Sequence, residues 1–152
     1  MLIKTHLVIA ISLVLIVFSA VEYKAIFLAT VFIATFLPDI DHAGSSLGKR
    51  KIFRIVQLFT KHRGMLHSFT FLFLITIILV LFFKILSLGF FLGYGTHLLV
   101  DSFSIDGIQP FFPFKKTVSG FIRTGGKTEL TIFVTFLLID ALLLFVKLNQ
   151  FL

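Results

Sequence analysis

The 152-residue chain has no cysteine, no tryptophan, three prolines and only seven acidic residues. Without cysteine there is neither a disulfide framework nor a thiolate ligand, so any metal site has to be built from His, Asp and Glu. Charge of either sign is scarce: 14% of residues are charged, against about 25% in a soluble domain, and 58% are hydrophobic, against about 45–50%. Those proportions, with 22 phenylalanines and a mean hydropathy of +1.09, exclude an ordinary soluble globule and predict an integral membrane protein. There is no internal repeat and no low-complexity stretch. The length suits one domain over residues 1–152.

Five apolar runs, Leu7–Val21, Ala25–Leu37, Phe69–Phe83, Ile85–Val100 and Leu130–Val146, predict an all-α, polytopic helical protein with about five transmembrane helices. The second is short: bounded by Lys24 and Pro38, it rises about 20 Å against a ~30 Å hydrocarbon core. Residues after it are therefore expected to lie recessed in the membrane surface. The first run could also be a cleavable signal peptide, but the polar break before the next run is only a few residues long, which favours a retained span.

Five spans place 1–6, 38–64 and 102–129 on one side. All Lys and Arg except Lys24, Lys84 and Lys147 fall there. This asymmetry predicts a multi-pass protein of the cell (inner, cytoplasmic) membrane with its long loops in the cytoplasm. It accounts for the net charge of +7 without a nucleic-acid partner. Membrane lipids are the expected partners, since basic loops attract anionic headgroups by about 1 kcal/mol per charge. The sequence carries no signal of oligomeric state.

The most informative stretch is Gly93-Tyr94-Gly95-Thr96-His97-Leu98-Leu99-Val100-Asp101. A histidine and an aspartate four residues apart share one helix face, one turn apart, and offer a nitrogen and an oxygen to a metal. All five histidines, His6, His42, His62, His67 and His97, map to the same side, with Asp39, Asp41, Asp101, Asp106 and Glu129. Ionisable groups against apolar runs need partners or a metal.

Asp39 and Asp41 follow Pro38; in an extended segment they would project to one side. Arg63, before His67 at the start of the third span, could present a planar fork to phosphate. Its alternative is simple positive flanking of a span. Glu129 opens the fifth span, where a carboxylate suits the helix N-terminus or could reach the metal cluster. Gly125-Gly126-Lys127-Thr128 is not a phosphate loop, because Phe121 stands where its first glycine belongs. Asp140, deep in the last run, is expected to hydrogen-bond within the bundle.

The ordered set His6, Leu37-Pro38-Asp39-Ile40-Asp41-His42, His62-Arg63-Gly64-Met65-Leu66-His67-Ser68, Gly93-Tyr94…His97…Asp101, Gly107…Pro110…Pro113 and Thr124-Gly125…Glu129 resembles the YdjM-like family. Its members are described as inner-membrane, metal-dependent hydrolases. More distantly the pattern is similar to zinc-dependent phospholipase C and P1 nuclease, in which a His-x-x-x-Asp helix contributes to a cluster of up to three zincs. That likeness implies His97 and Asp101 as the helical pair, Asp39 or Asp41 as a bridging carboxylate, and His67 and His6 as further ligands. A clear second His-x-x-x-Glu helix is missing.

The expectation is a membrane-embedded hydrolase cleaving a phosphoester, in a phospholipid or lipid-linked phosphate, with metal-activated water at the cytoplasmic interface. A phosphorylated lipid is the expected substrate. The metal set is His6, Asp39, Asp41, His42, His62, His67, His97, Asp101 and Glu129, holding two or three divalent ions, zinc before manganese. Asp39, Asp41 and Arg63 are the catalytic candidates. The alternative is a membrane metal-ion transporter or metal-binding protein without hydrolytic activity, for which ligands would continue deeper into the bilayer.

Overall fold

The computed structural model describes residues 1–45, 48–60 and 63–149, with Phe59 described by its backbone alone. Its elements are α1 (Ile3–Val17), α2 (Lys24–Phe36), the short α3 (Arg54–Phe59), α4 (Phe69–Phe82), α5 (Lys84–Ser102) and α6 (Lys127–Asn149). Single 3₁₀ turns link them at Phe18–Ala20, Pro38–Asp41, Lys51–Phe53 and Met65–His67. The chain is all-helical apart from two isolated β-bridges among the described residues. In lipid a helix satisfies its backbone internally, so even the Val-, Ile- and Phe-rich runs become helices.

Among the described residues three helices are long and apolar enough to cross a membrane: Ile3–Ala20 with its 3₁₀ end, Lys84–Ser102 and Lys127–Asn149, of 18, 19 and 23 residues. The other two expected spans are shorter, α2 with 13 residues and α4 with 14. At 1.5 Å per residue each rises only about 20 Å. Helix ends also depart from the apolar runs. α1 starts at Ile3 and encloses Lys4 and His6, and α5 begins at Lys84, directly after a hinge at Phe83.

The bundle is organised around α5, which packs against α2, α4 and α1, while α6 lies along α1. Ala34, Leu72, Phe90, Tyr94, Leu98 and Ile108 form one buried cluster between α2, α4 and α5. Ala10, Val14, Phe27 and Val31 form a second between α1 and α2. Much of the outer surface is apolar, including Leu137, Leu138, Leu142 and Phe145 of α6, as a lipid-facing wall requires. Within that wall Ser12 of α1 donates a hydrogen bond to the buried Asp140 of α6, which supplies the expected bundle partner.

Ser68 caps α4, its hydroxyl accepting from the Phe71 amide at 3.1 Å. The long loop after α5 folds back across the same end of the bundle. It is held by reciprocal backbone bonds of 2.9 Å between Ile108 and Val118, and by the Phe69 amide donating to the Pro110 carbonyl at 2.8 Å.

Candidate metal centre

Four segments bring one polar cluster together at the end of the bundle: His6 on α1, Asp39 and Asp41 after α2, His67 before α4, and His97 with Asp101 on α5. His6, Asp41, His67, His97 and Asp101 are buried, and Asp39 is half-buried. His97 Nε2 lies 3.6 Å from Asp101 Oδ2 and 3.7 Å from Asp39 Oδ1. His67 Nε2 lies 3.7 Å from Asp101 Oδ2 and 4.0 Å from Asp39 Oδ1, and His6 Nε2 lies 3.3 Å from Asp101 Oδ1. The His6 and His97 rings stack face to face, with centroids 4.0 Å apart and planes 4° from parallel.

Two of these rings are oriented from behind. His97 Nδ1 is 2.7 Å from the Thr35 carbonyl, which can only accept, so Nδ1 carries the proton and the Nε2 lone pair faces the cluster. Thr35 is within the last four residues of α2, whose carbonyls a helix leaves without intrahelical donors. His67 Nδ1 meets Asp41 Oδ2 at 3.1 Å, which likewise points Nε2 inward. Burial holds the His67 imidazole below the ordinary histidine range, against the pull of Asp41, and so keeps the lone pair available at neutral pH.

Asp41 therefore differs from expectation. Leu37 stays helical at φ −58°, ψ −42°, and Pro38 opens a 3₁₀ turn instead of an extended strand, since proline is tolerated in a first helical turn. At three residues per turn, positions 39 and 41 point to different sides. Asp39 faces the cluster, and Asp41 braces His67 from outside it.

Glu129 departs further. Its Oε1 accepts from the Leu2 amide at 2.6 Å and the Thr5 hydroxyl at 2.9 Å, and its Oε2 accepts from the Gly125 amide at 2.6 Å. This carboxylate ties α6 to the N-terminal turn and is not drawn into the metal cluster. His42 is exposed, at the rim of the cavity above the cluster. His62 lies outside the described residues.

Arg63 lines that cavity, but its fork is turned onto protein acceptors. Nη1 donates to Ser104 Oγ at 3.0 Å and to the Gly107 carbonyl at 2.6 Å, while Nη2 is 3.6 Å from both Asp101 and Asp106. Its φ of 60° places a non-glycine residue in the left-handed region, a conformation held only where surrounding contacts over-determine it. Arg63→Gln is expected to loosen the loop, given about 1.5–3 kcal/mol for a charged hydrogen bond. Amide exchange over residues 103–108 should rise several-fold, with helix α5 unchanged; identical exchange in the variant would show that Arg63 is not the brace.

The opening over the cluster is a cavity of about 570 Å³ lined by Asp39, His42, Arg63, Asp101 and Asp106 among others. The Met1 α-amine pairs with Asp101 at its wall. Thr35 and Ser104 were not legible as site residues, because both act through contacts to segments far away in sequence.

A sequence model of the family described as "YdjM inner membrane protein" matches residues 1–150. The chain belongs to the YdjM inner membrane protein family. Its apolar helices and this family membership together establish a membrane location. Among similar curated proteins is the uncharacterized protein YvsG of Bacillus subtilis (strain 168), 26% identical over 103 residues. That match covers 64% of the YdjM-family chain, which spans 64% of the length of YvsG. No solved structure matches the chain.

The residues of this YdjM-family member fit a divalent cation. His6, His97 and Asp101 form one group, and Asp39, His67 and His97 another, in each of which the donor atoms lie within 4.8 Å of one another. Tetrahedral ligands at about 2.0–2.1 Å from zinc are roughly 3.4 Å apart, close to the nitrogen–oxygen spacings here. Neither nitrogen of His6 nor Nε2 of His97 has a hydrogen-bond partner among the described residues, although all three are buried. Such nitrogens cost stability, and a cation could take the lone pair of His97 Nε2 and that of whichever His6 nitrogen carries no proton.

Proposed function

We propose that this protein is a metal-dependent phosphoester hydrolase acting on a phospholipid or lipid-linked phosphate at the membrane surface. The carrying observation is the convergence of the buried His6 and His97 Nε2 atoms on Asp101, 3.3 and 3.6 Å away without a well-formed hydrogen bond, at the floor of a polar cavity. α1, α2, α4, α5 and α6 form one membrane-embedded bundle, and the shortness of α2 and α4 recesses the cluster below the surface. The basic loops favour a cytoplasmic location for this end.

His97 would hold the ion, with His6 and Asp101 or with Asp39 and His67. The two groups share His97 Nε2, which has a single lone pair, so we place one ion here, zinc before manganese. A divalent cation in such a setting supplies Lewis acidity, which lowers the pKa of a water from 15.7 toward ~7. Asp39, half-buried at the cavity wall, is placed to accept a proton on its carboxylate. Arg63 positions Asp101 and the loop. Asp41 fixes the His67 tautomer, so Asp41→Asn is expected to weaken zinc affinity by about 10–100-fold in a competition titration with a chromogenic chelator. An unchanged affinity would remove Asp41 from the site.

The deciding test is phosphate or headgroup release from a panel of phospholipids and lipid phosphates. Turnover should be abolished by chelator and fall by about 10²–10⁴ in Asp39→Asn, the range for a lost general base. Zinc uptake into proteoliposomes without turnover would replace this reading with transport. The deep carboxyl of Asp140 does not favour transport, because it is occupied by Ser12.

A further inference from the structure

A second opening lies one helical turn below the cavity above the cluster. Two of the cavity's lining residues, Ile3 on α1 and Asp39 after α2, are each followed one turn deeper by a residue lining the second opening, Leu7 on α1 and Thr35 on α2. This second opening is a groove of about 430 Å³ between α1 and α2, walled by apolar side chains with Thr35 at its inner end. It extends to Leu15 and Leu28, about 12 Å along α1. Ile11, Leu28 and Phe32 on its lips are exposed, so it opens sideways, toward lipid. Thr35 belongs both to the groove and, through its carbonyl, to the orientation of His97.

We propose that the α1–α2 groove seats an acyl chain of the substrate, whose phosphate enters the polar cavity laterally from the bilayer. The proposal rests on the hydrolase reading for what happens to that phosphate, but not for where the chain lies. The alignment of the two openings along the same pair of helices, one turn apart, selects the occupant. A lipid phosphoester has a charged head joined to a chain of methylenes, and here a cavity lined by charged residues lies one helical turn from an apolar slot on the same two helices. Ala29, exposed on the groove wall, keeps the slot wide.

The test uses the full chain in nanodiscs containing a phosphatidic acid with a diazirine near the end of one acyl chain. Photolabelling mapped by mass spectrometry should concentrate on 7–15 and 28–32. Ala29→Trp should cut that labelling about tenfold, the loss expected when roughly two methylenes no longer find a slot. Ala141→Trp, on the exposed face of α6, should leave it unchanged. Labelling spread evenly over α4 and α6, or unaltered by Ala29→Trp, would overturn the proposal. So would crosslinked dimers through the groove, which would assign it to a second copy. The two readings separate cleanly. Groove labelling without hydrolysis of any phosphoester leaves this site standing and removes the enzyme. Chelator-sensitive turnover of a soluble aryl phosphate with uniform labelling does the reverse.

Discussion

Substituting His97 with alanine is expected to strip the protein of bound divalent metal, lowering affinity by more than about 100-fold, beyond the range for losing an outer supporting bond. The reason is structural centrality. Among the described residues His97 is common to both candidate donor groups, and its Nε2 lies 3.6 Å from Asp101 and 3.7 Å from Asp39. Its ring also stacks on His6, so its loss opens space beside a second ligand. Elemental analysis of protein purified in zinc-containing detergent buffer reads the result directly. His97→Gln, close in size, keeps the packing while removing the imidazole, and should lose metal equally. His42→Ala, at the exposed rim, should retain it. If His97→Gln and wild type bind zinc alike, the cluster is a polar core and the hydrolase reading fails with it.

The convergence of His6, Asp39, His67, His97 and Asp101 was more legible in the sequence than the number of spans. His97 and Asp101 were readable because helical periodicity fixes which residues share a face, and α5 runs unbroken through both. His6, His67 and Asp39 followed from topology, since alternate span ends must lie together. What was not readable depends on contacts or on local backbone choice. Asp41 changed sides because Pro38 opened a 3₁₀ turn in place of an extended segment. Glu129 was removed from the cluster by the Leu2 amide and the Thr5 hydroxyl, groups more than a hundred residues away. Arg63 was turned from a phosphate fork into a brace by Ser104 and Gly107. α4 ended short because the Phe83 hinge stops it before a bilayer's thickness is reached, whereas the short α2, stopped at Pro38, was readable.

The packing that makes the site also makes it vulnerable at one glycine. A Cβ on Gly93 would lie 2.3 Å from the Val31 carbonyl oxygen and 3.0 Å from the Val31 Cα, an overlap with backbone that no side-chain rotation relieves. Gly93→Ala must therefore push α2 away from α5. Overpacking of this kind costs about 1–3 kcal/mol, more than the ~1 kcal/mol that alanine returns in helix propensity. The displacement also reaches the metal centre: Gly93 and His97 stand one turn apart on the same face, and α2 carries both Thr35, which orients His97, and Asp39 at its end. Gly93→Ala is thus expected to lower both thermal stability in detergent and zinc affinity. Gly95→Ala on the same helix is the control, because its Cβ would meet only Leu72 Cδ2, at an ordinary 3.4 Å. That variant should keep zinc affinity and match or slightly exceed wild-type stability. Equal melting temperatures and equal zinc affinities for the two variants would mean that the α2–α5 contact does not set the position of His97.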